Sequence, residues 1–456
     1  MASSLSTHDF WHLITTQEAV RATYYLVLRY SILALGNGTW ALRVASALFM
    51  ALACAATTLI AFSQAGRRVA IFTGLAFAAL PLVAGYGSEA RSYAFSAAAV
   101  AWSSYFFLRR LEDSRGRWTW YYTASLVITG YAFVYALLIM VVHVLVVISD
   151  PGTRSRLRSL LRVQGAAVII VLPIFFAAWR QKQELSWIPS GFAPMVSNGI
   201  GIFVTPFWSG MAATPYPELL ALLAWVIIIV GLVRLPLSGR GEVRRLVVLA
   251  LGWAVVPGML LSLSSAFGPY FTARYLVFCA PAVALLIGLG ASQIQQPRRI
   301  AVVCALFVTL ALLADTPLFS VAGKDGWGTT IGVLESHGAP GDFVMTTPQV
   351  EGQYFNIDPR VTALPHHMTM IDFGAGLPWS GTFVARHWSS SIQAPPTRII
   401  WLATVRGAVG CRELEILRHW GFSWGATYGP SGQPTYEFIS SGIQAAGAPT
   451  FACQHD

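Results

Sequence analysis

The stretch AGYGSEARSYAF, residues 84–95, sets Glu89 and Arg91 between two long apolar runs. Further on, Arg180, Lys182 and Glu184 precede SWIP (186–189), and Arg274 lies within FGPYFTARYLVFCAP (267–281). An ionisable group at a membrane boundary costs little where it reaches water and much where it is buried. Several such groups in otherwise short connections therefore point to a polar cavity. The alternative is local: Glu89 and Arg91 cap helices and pair with each other, and Arg274 anchors the start of a helix.

The elements that must position these residues follow from hydropathy. The chain is 55% hydrophobic and 11% charged, and its apolar runs approach the roughly 20 residues needed to cross a bilayer. Ten spans are expected, at about 41–63, 69–86, 93–108, 118–132, 134–149, 163–179, 218–233, 246–264, 275–291 and 300–315. The boundary near Tyr131 is the least marked. One set of alternate connections holds sixteen cations, among them Arg67, Arg109, Arg154, Arg234 and Arg298, whereas the other holds Arg91, Arg180, Lys182 and Arg274. Cations are retained on the cytoplasmic side, so GYGSEARSY faces outward. The net charge of +10 is then a cytoplasmic rim meeting anionic headgroups and implies no nucleic-acid partner.

Two further segments flank the spans. Residues 8–35 mix aromatic and aliphatic residues with Asp9, Glu18, Arg21 and Arg29, which suits one or two helices lying in the outer interface. From Gly323 the composition becomes globular. It contains strand-like DFVMTT (342–347) and RIIWLATV (398–405) and helix-like CRELEILRHWGF (411–422). The expected organisation is an interfacial segment at 1–40, an all-α polytopic membrane domain at 41–315 and an extracytoplasmic α/β domain at 316–456. Of five cysteines, Cys54, Cys279 and Cys304 lie in apolar runs. Cys411 and Cys453 are the two in the outer domain, and an oxidising compartment predicts a disulfide between them.

WALRVASALFMAL (40–52), GRRVA, SEARSYAF, SWIP, ARYLVFCAPAVALL, DGW and GDFV occur in an order that resembles one branch of the GT-C glycosyltransferases. These are bacterial relatives of protein O-mannosyltransferase and of the lipid A aminoarabinose transferase, especially the actinobacterial mannosyltransferase-like members with an outer C-terminal domain. The resemblance implies a cytoplasmic-membrane enzyme that takes a sugar, with mannose leading, from a polyprenyl-phosphate donor. The acceptor is an envelope lipid, glycan or protein outside the cell. It assigns Arg91 and Arg274 to the donor phosphate and Glu89 to a hydrogen-bonding or metal-supporting role at the sugar. Tyr93, Tyr275 and Lys182 are expected around the pocket.

In the family the general base is an Asp, usually in an Asp-Glu pair after a first span that has no counterpart here. Relatives carry an acidic residue and then His-Pro-Leu-Tyr-like residues in the interfacial segment. QEAVRATYY keeps Glu18, which with Asp9 is a candidate substitute for the catalytic carboxylate, but puts Arg21 and Thr23 where His and Pro stand. The family leaves a divalent metal open, yet His8, His12 and Glu18 have no recognised metal spacing, and no ligand is assigned. One expectation is that a further span precedes Met1 and supplies the acidic pair. The competing class is a non-catalytic protein that binds lipid-linked sugar or partners an assembly enzyme. A transporter is disfavoured because the spans contain few ionisable groups and no paired broken helices. His143 is one such group, read as a buried neutral histidine.

Overall fold

The computed structural model describes residues 7–16, 19–36, 39–113, 116–185, 188–203, 217–235, 241–315, 327–347, 369–372, 386–387, 397–404, 409–429, 435–440 and 453–454. The chain divides into two compact units, Ala2–Pro317 and Leu318–Asp456.

The first unit is helical. Two helices precede the bundle, α1 (Thr7–Thr16) and α2 (Ala22–Leu35). There follow α3 (Thr39–Ala65), α4 (Arg67–Ala79), α5 (Pro81–Gly87), α6 (Tyr93–Glu112), α7 (Gly116–Ala132) and α8 (Ile139–Ser149). The remainder are α9 (Leu157–Arg180), α10 (Phe192–Gly201), α11 (Pro217–Arg234), α12 (Gly241–Ser264), α13 (Ala280–Ser292) and α14 (Pro297–Asp315). Each of the ten apolar runs is thus helical. By length and composition, four described helices can cross a membrane: Trp40–Ala65, Arg154–Arg180, Gly241–Ser264 and Ala273–Ser292. The bent pair α4 and α5 makes a fifth candidate.

That bend breaks the span expected at 69–86 into two helices. Proline disfavours a helical conformation in the residue before it and lacks the N–H that would continue the ladder. Leu80 accordingly adopts φ −71° and ψ 123°, Pro81 opens α5, and the two axes differ by 59°. The weakly marked boundary near Tyr131 also has a structure: after α7, Phe133 is extended, and Val134–Leu138 form a 3-10 turn leading into α8.

All residues of α13, Ala280 to Ser292, are buried within the protein. Glycine makes this fit. A side chain at Gly288 would run into Thr73 of α4, and one at Gly290 into Ile227 of α11, so both neighbours approach α13 at backbone distance. Trp253 of α12 donates from Nε1 to the Phe278 carbonyl at 2.9 Å, fixing the segment just before α13. A polar knot joins α6, α7, α8 and α9. His143 Nδ1 is 2.9 Å from the Tyr122 hydroxyl, His143 Nε2 is 3.2 Å from Ser104 Oγ, and Gln164 Nε2 donates to Tyr122 at 3.1 Å. The buried histidine therefore has partners on two other helices, and Phe107 stacks on its ring.

The second unit contains α15 (Trp327–His337), β1 (Phe343–Thr347), β2 (Thr369–Asp372), β3 (Arg386–His387), β4 (Ile399–Thr404), β5 (Val409–Gly410), α16 (Cys411–His419), β6 (Ser423–Tyr428), β7 (Thr435–Ile439) and β8 (Cys453–Gln454). Six strands form one sheet in the order β3-β2-β1-β4-β7-β6. The first four run parallel, and β7 and β6 are antiparallel, with Val344 opposite Trp401. Alternation along β1 and β4 sends Val344 and Trp401 to one face with Ile331 and Leu334 of α15. Phe343, Met345, Ile400 and Leu402 go to the other face, with Leu414 and Leu417 of α16. Both faces are therefore covered, which gives an α/β layer structure. Asp342 accepts from Trp401 Nε1 at 2.9 Å, locking the start of β1 to β4.

Candidate functional site

The candidate site forms where α5 ends. After Gly87 the chain turns back on itself within five residues. The Glu89 amide reaches the Tyr86 carbonyl at 3.4 Å, and the Arg91 amide reaches the Glu89 carbonyl at 2.8 Å, before α6 starts at Tyr93. Arg91 Nε and Glu89 Oε1 lie 3.3 Å apart, with the side chains 36% and 17% exposed. The local pairing expected from the sequence exists, but it stands inside a larger group.

Tyr86 and Tyr93 face each other across the turn, ring centroids 5.2 Å apart in an edge arrangement. The aromatic wall continues from Tyr93 to Phe133, from Phe133 to Tyr275 and from Tyr275 to Tyr135. Arg274 enters from the opposite side of the chain, in the 3-10 segment Ala273–Cys279 that leads into α13. Arg91 and Arg274 both act electrostatically on Tyr86 and on Tyr93, and Arg91 hydrogen-bonds Tyr93. Arg274 and Arg21 together act on Tyr275. The fold thus brings Glu89, Arg91, Tyr93, Arg274 and Tyr275 together, although Glu89 and Arg274 are far apart in the chain.

The turn is held from behind by residues that the sequence did not single out. Ser46 of α3 donates to the Glu89 carbonyl at 2.6 Å, and the Tyr24 hydroxyl of α2 lies 2.7 Å from Ser46 Oγ. A serine hydroxyl has one proton, so Tyr24 must be the donor to Ser46. Burial, opposed by that hydrogen bond and assisted by the Glu89 charge, pushes the Tyr24 phenol up to about 12. It stays protonated and keeps donating. Neither residue carries a signal of its own in the sequence, since an interfacial tyrosine and a helical serine are common. Tyr86, by contrast, lies within the stretch that drew attention to Glu89.

The other candidates are placed differently. Lys182 is exposed, its ammonium 5.6 Å from the Trp179 ring centroid, so it belongs to the end of α9 rather than to the aromatic wall. That end still touches the interfacial segment, because Gln181 Oε1 accepts from the Val20 amide at 3.3 Å. Glu18 lies outside the described residues, as do the side chains of Glu184 and Asp9. Cys411 is disulfide-bonded, and the parallel pairing of β5 with β8 sets Cys453 opposite Val409. The Cys453 side chain lies outside the described residues. Among the described residues no three His, Cys, Asp or Glu side chains gather as a metal-binding group. The described groups around Glu89 are guanidinium and phenol, a set that does not fit a divalent cation.

The resemblance read from the motifs holds. Residues 22–179 match the family described as dolichyl-phosphate-mannose-protein mannosyltransferase. The crystal structure of ArnT from Cupriavidus metallidurans in the apo state is similar to this chain at 15% identity and a TM-score of 0.54. The match covers 95% of this chain and 92% of that one. ArnT of the same organism bound to undecaprenyl phosphate matches at 16% identity and a TM-score of 0.52, over 92% of this chain and 88% of that one. No curated protein sequence matches the chain. The likeness is one of fold, at an identity too low to carry residue roles with it.

Proposed function

We propose that the protein transfers a sugar, with mannose the leading candidate, from a polyprenyl-phosphate donor to an envelope lipid, glycan or protein on the outer face of the cytoplasmic membrane. The observation that carries this reading is the convergence of Arg91 and Arg274, from separate connections, on one aromatic wall. Outside the membrane the donor must come anchored by its lipid, so its phosphate rests at the interface where span ends present cations. A guanidinium holds phosphate with charge-assisted, often paired hydrogen bonds. The tyrosine faces supply apolar surface for the sugar ring and the first part of the lipid.

In this reading the acceptor hydroxyl attacks the anomeric carbon, and the bond from that carbon to the phosphate oxygen breaks. Polyprenyl phosphate leaves with its new negative charge on Arg91 and Arg274. A carboxylate takes the hydroxyl proton, and a single displacement inverts the anomeric configuration. Glu89 hydrogen-bonds the sugar in this reading, and Glu18 remains the candidate base. The orientation that follows is ten spans, with the second unit extracytoplasmic, as the cation bias requires. No step requires a metal.

The test is direct. The purified full chain is mixed with polyprenyl-phosphate mannose and envelope acceptors, and donor binding and release of polyprenyl phosphate are measured separately. Binding with release supports the enzyme, and binding without release under every acceptor tried supports the non-catalytic class. Absence of binding, or an equal preference for a nucleotide sugar, overturns the proposal.

A further inference from the structure

At the opposite end of the bundle from the candidate site, a slot of about 140 Å³ runs between α11, α13 and α14. Leu223, Val226, Ile227, Val230 and Gly231 form its long wall, Ile294 and Val303 its other sides, and Arg234 and Gln293 its polar end. Val226 and Val230 are 48% and 43% exposed, so the slot opens to the bundle surface. Its floor is where Gly290 meets α11 at backbone distance.

We propose that one acyl chain of an anionic glycerophospholipid of the cytoplasmic leaflet lies along this slot, partly embedded in it, with the lipid phosphate on Arg234. Two features argue for that occupant. From Leu223 to Arg234 the wall is about 16 Å long at 1.5 Å per residue, close to half of a hydrocarbon core about 30 Å thick. The slot is therefore as deep as one leaflet. Its polar end is also cationic. Besides Arg234, Arg68 donates to the carbonyl of Ile294, a slot residue, at 2.5 Å. Arg299 stands four positions before Val303, on the same face of α14 and one turn nearer that end. None of these three arginines is paired with a carboxylate among the described residues. Basic clefts between helices on the cytoplasmic side suit anionic headgroups. The inference rests on the orientation read above and is independent of the donor reading.

The experiment uses detergent-purified full chain, delipidated and then titrated with phosphatidylglycerol or phosphatidylcholine, with bound lipid counted by native mass spectrometry. Phosphatidylglycerol is expected to occupy one preferred site. Arg234→Gln should weaken it about fivefold, the worth of one surface cation near an anionic headgroup. Val230→Phe, at a surface-exposed position that folding tolerates, should block the slot and abolish the preference. Donor binding should be unchanged in both variants, which separates failure here from failure of the donor reading. Equal retention of the two phospholipids, or unchanged phosphatidylglycerol binding in both variants, overturns the inference. Displacement of phosphatidylglycerol by polyprenyl phosphate would reassign the slot to the carrier lipid and overturn it as well.

Discussion

Removing Arg91 should damage donor binding more than removing Arg274, and the reason lies in the turn that holds it. A charge-assisted contact to phosphate is worth about 1.5 to 3 kcal/mol, so either substitution to alanine should weaken the donor about 10- to 150-fold. Arg91 has a second task, because its Nε lies 3.3 Å from Glu89 Oε1 and offsets that charge. Without Arg91 the Glu89 carboxylate loses that offset beside the incoming phosphate. The pair is about one-third exposed on the arginine side, so this added cost is at most ~1 kcal/mol, or about fivefold. Arg91→Ala should therefore bind donor more weakly than Arg274→Ala, and adding Glu89→Gln to Arg91→Ala should recover about fivefold. Glu89→Gln alone should reduce turnover more than affinity. The assay is a donor titration followed by intrinsic tryptophan fluorescence, on variants whose size-exclusion profile matches wild type. Wild-type affinity in both arginine variants would refute the clamp, and no recovery in the double variant would refute the second task of Arg91.

Alkylation of the unreduced, unfolded protein should modify Cys54, Cys279 and Cys304 and leave Cys411 and Cys453 unmodified, and two further labels by intact mass would contradict that pairing. Cys411→Ser should lower the stability of the second unit by about 2 to 4 kcal/mol in chemical denaturation. Gly290→Ala forces a methyl against the Ile227 carbonyl and should cost about 1 to 3 kcal/mol, read as a lower melting temperature in detergent. Tyr24 is pushed up to about 12 in the folded protein, against about 10 when unfolded. Above pH 10 the unfolded chain releases this proton first, so stability falls between pH 10 and 12. Tyr24→Phe should lose about 1 kcal/mol at neutral pH and flatten that alkaline decline, as thermal denaturation across the range would show.

The helices were legible because hydropathy acts locally. Each apolar run became a helix, and DFVMTT, RIIWLATV and CRELEILRHWGF became β1, β4 and α16. The bend at Leu80 was written in Pro81 but masked by the apolar residues on both sides. The cations and phenols of the site were legible as types and not as neighbours. Nothing local joins Arg91 to Arg274, whose meeting depends on how α6 packs against the segment before α13. The same holds for Tyr24, Ser46 and the Glu89 carbonyl, which are linked only through the contact of α2 with α3. Lys182, expected around the pocket, has its ammonium 5.6 Å from the Trp179 ring centroid, a neighbour that nearness to SWIP in the sequence did not reveal.

The buried position of α13 sets a mechanical asymmetry in the candidate site. Arg274 rides on a segment continuous with a helix that is enclosed along its whole length and gripped at Gly288 and Gly290. Arg91 rides on a five-residue turn beyond a proline break, tied down by one serine hydroxyl and the tyrosine behind it. One side of the candidate site thus rests on an enclosed helix and the other on a short turn. In the proposed reading, the lipid phosphate meets a cation carried by an enclosed helix on one side and a cation carried by a short turn on the other.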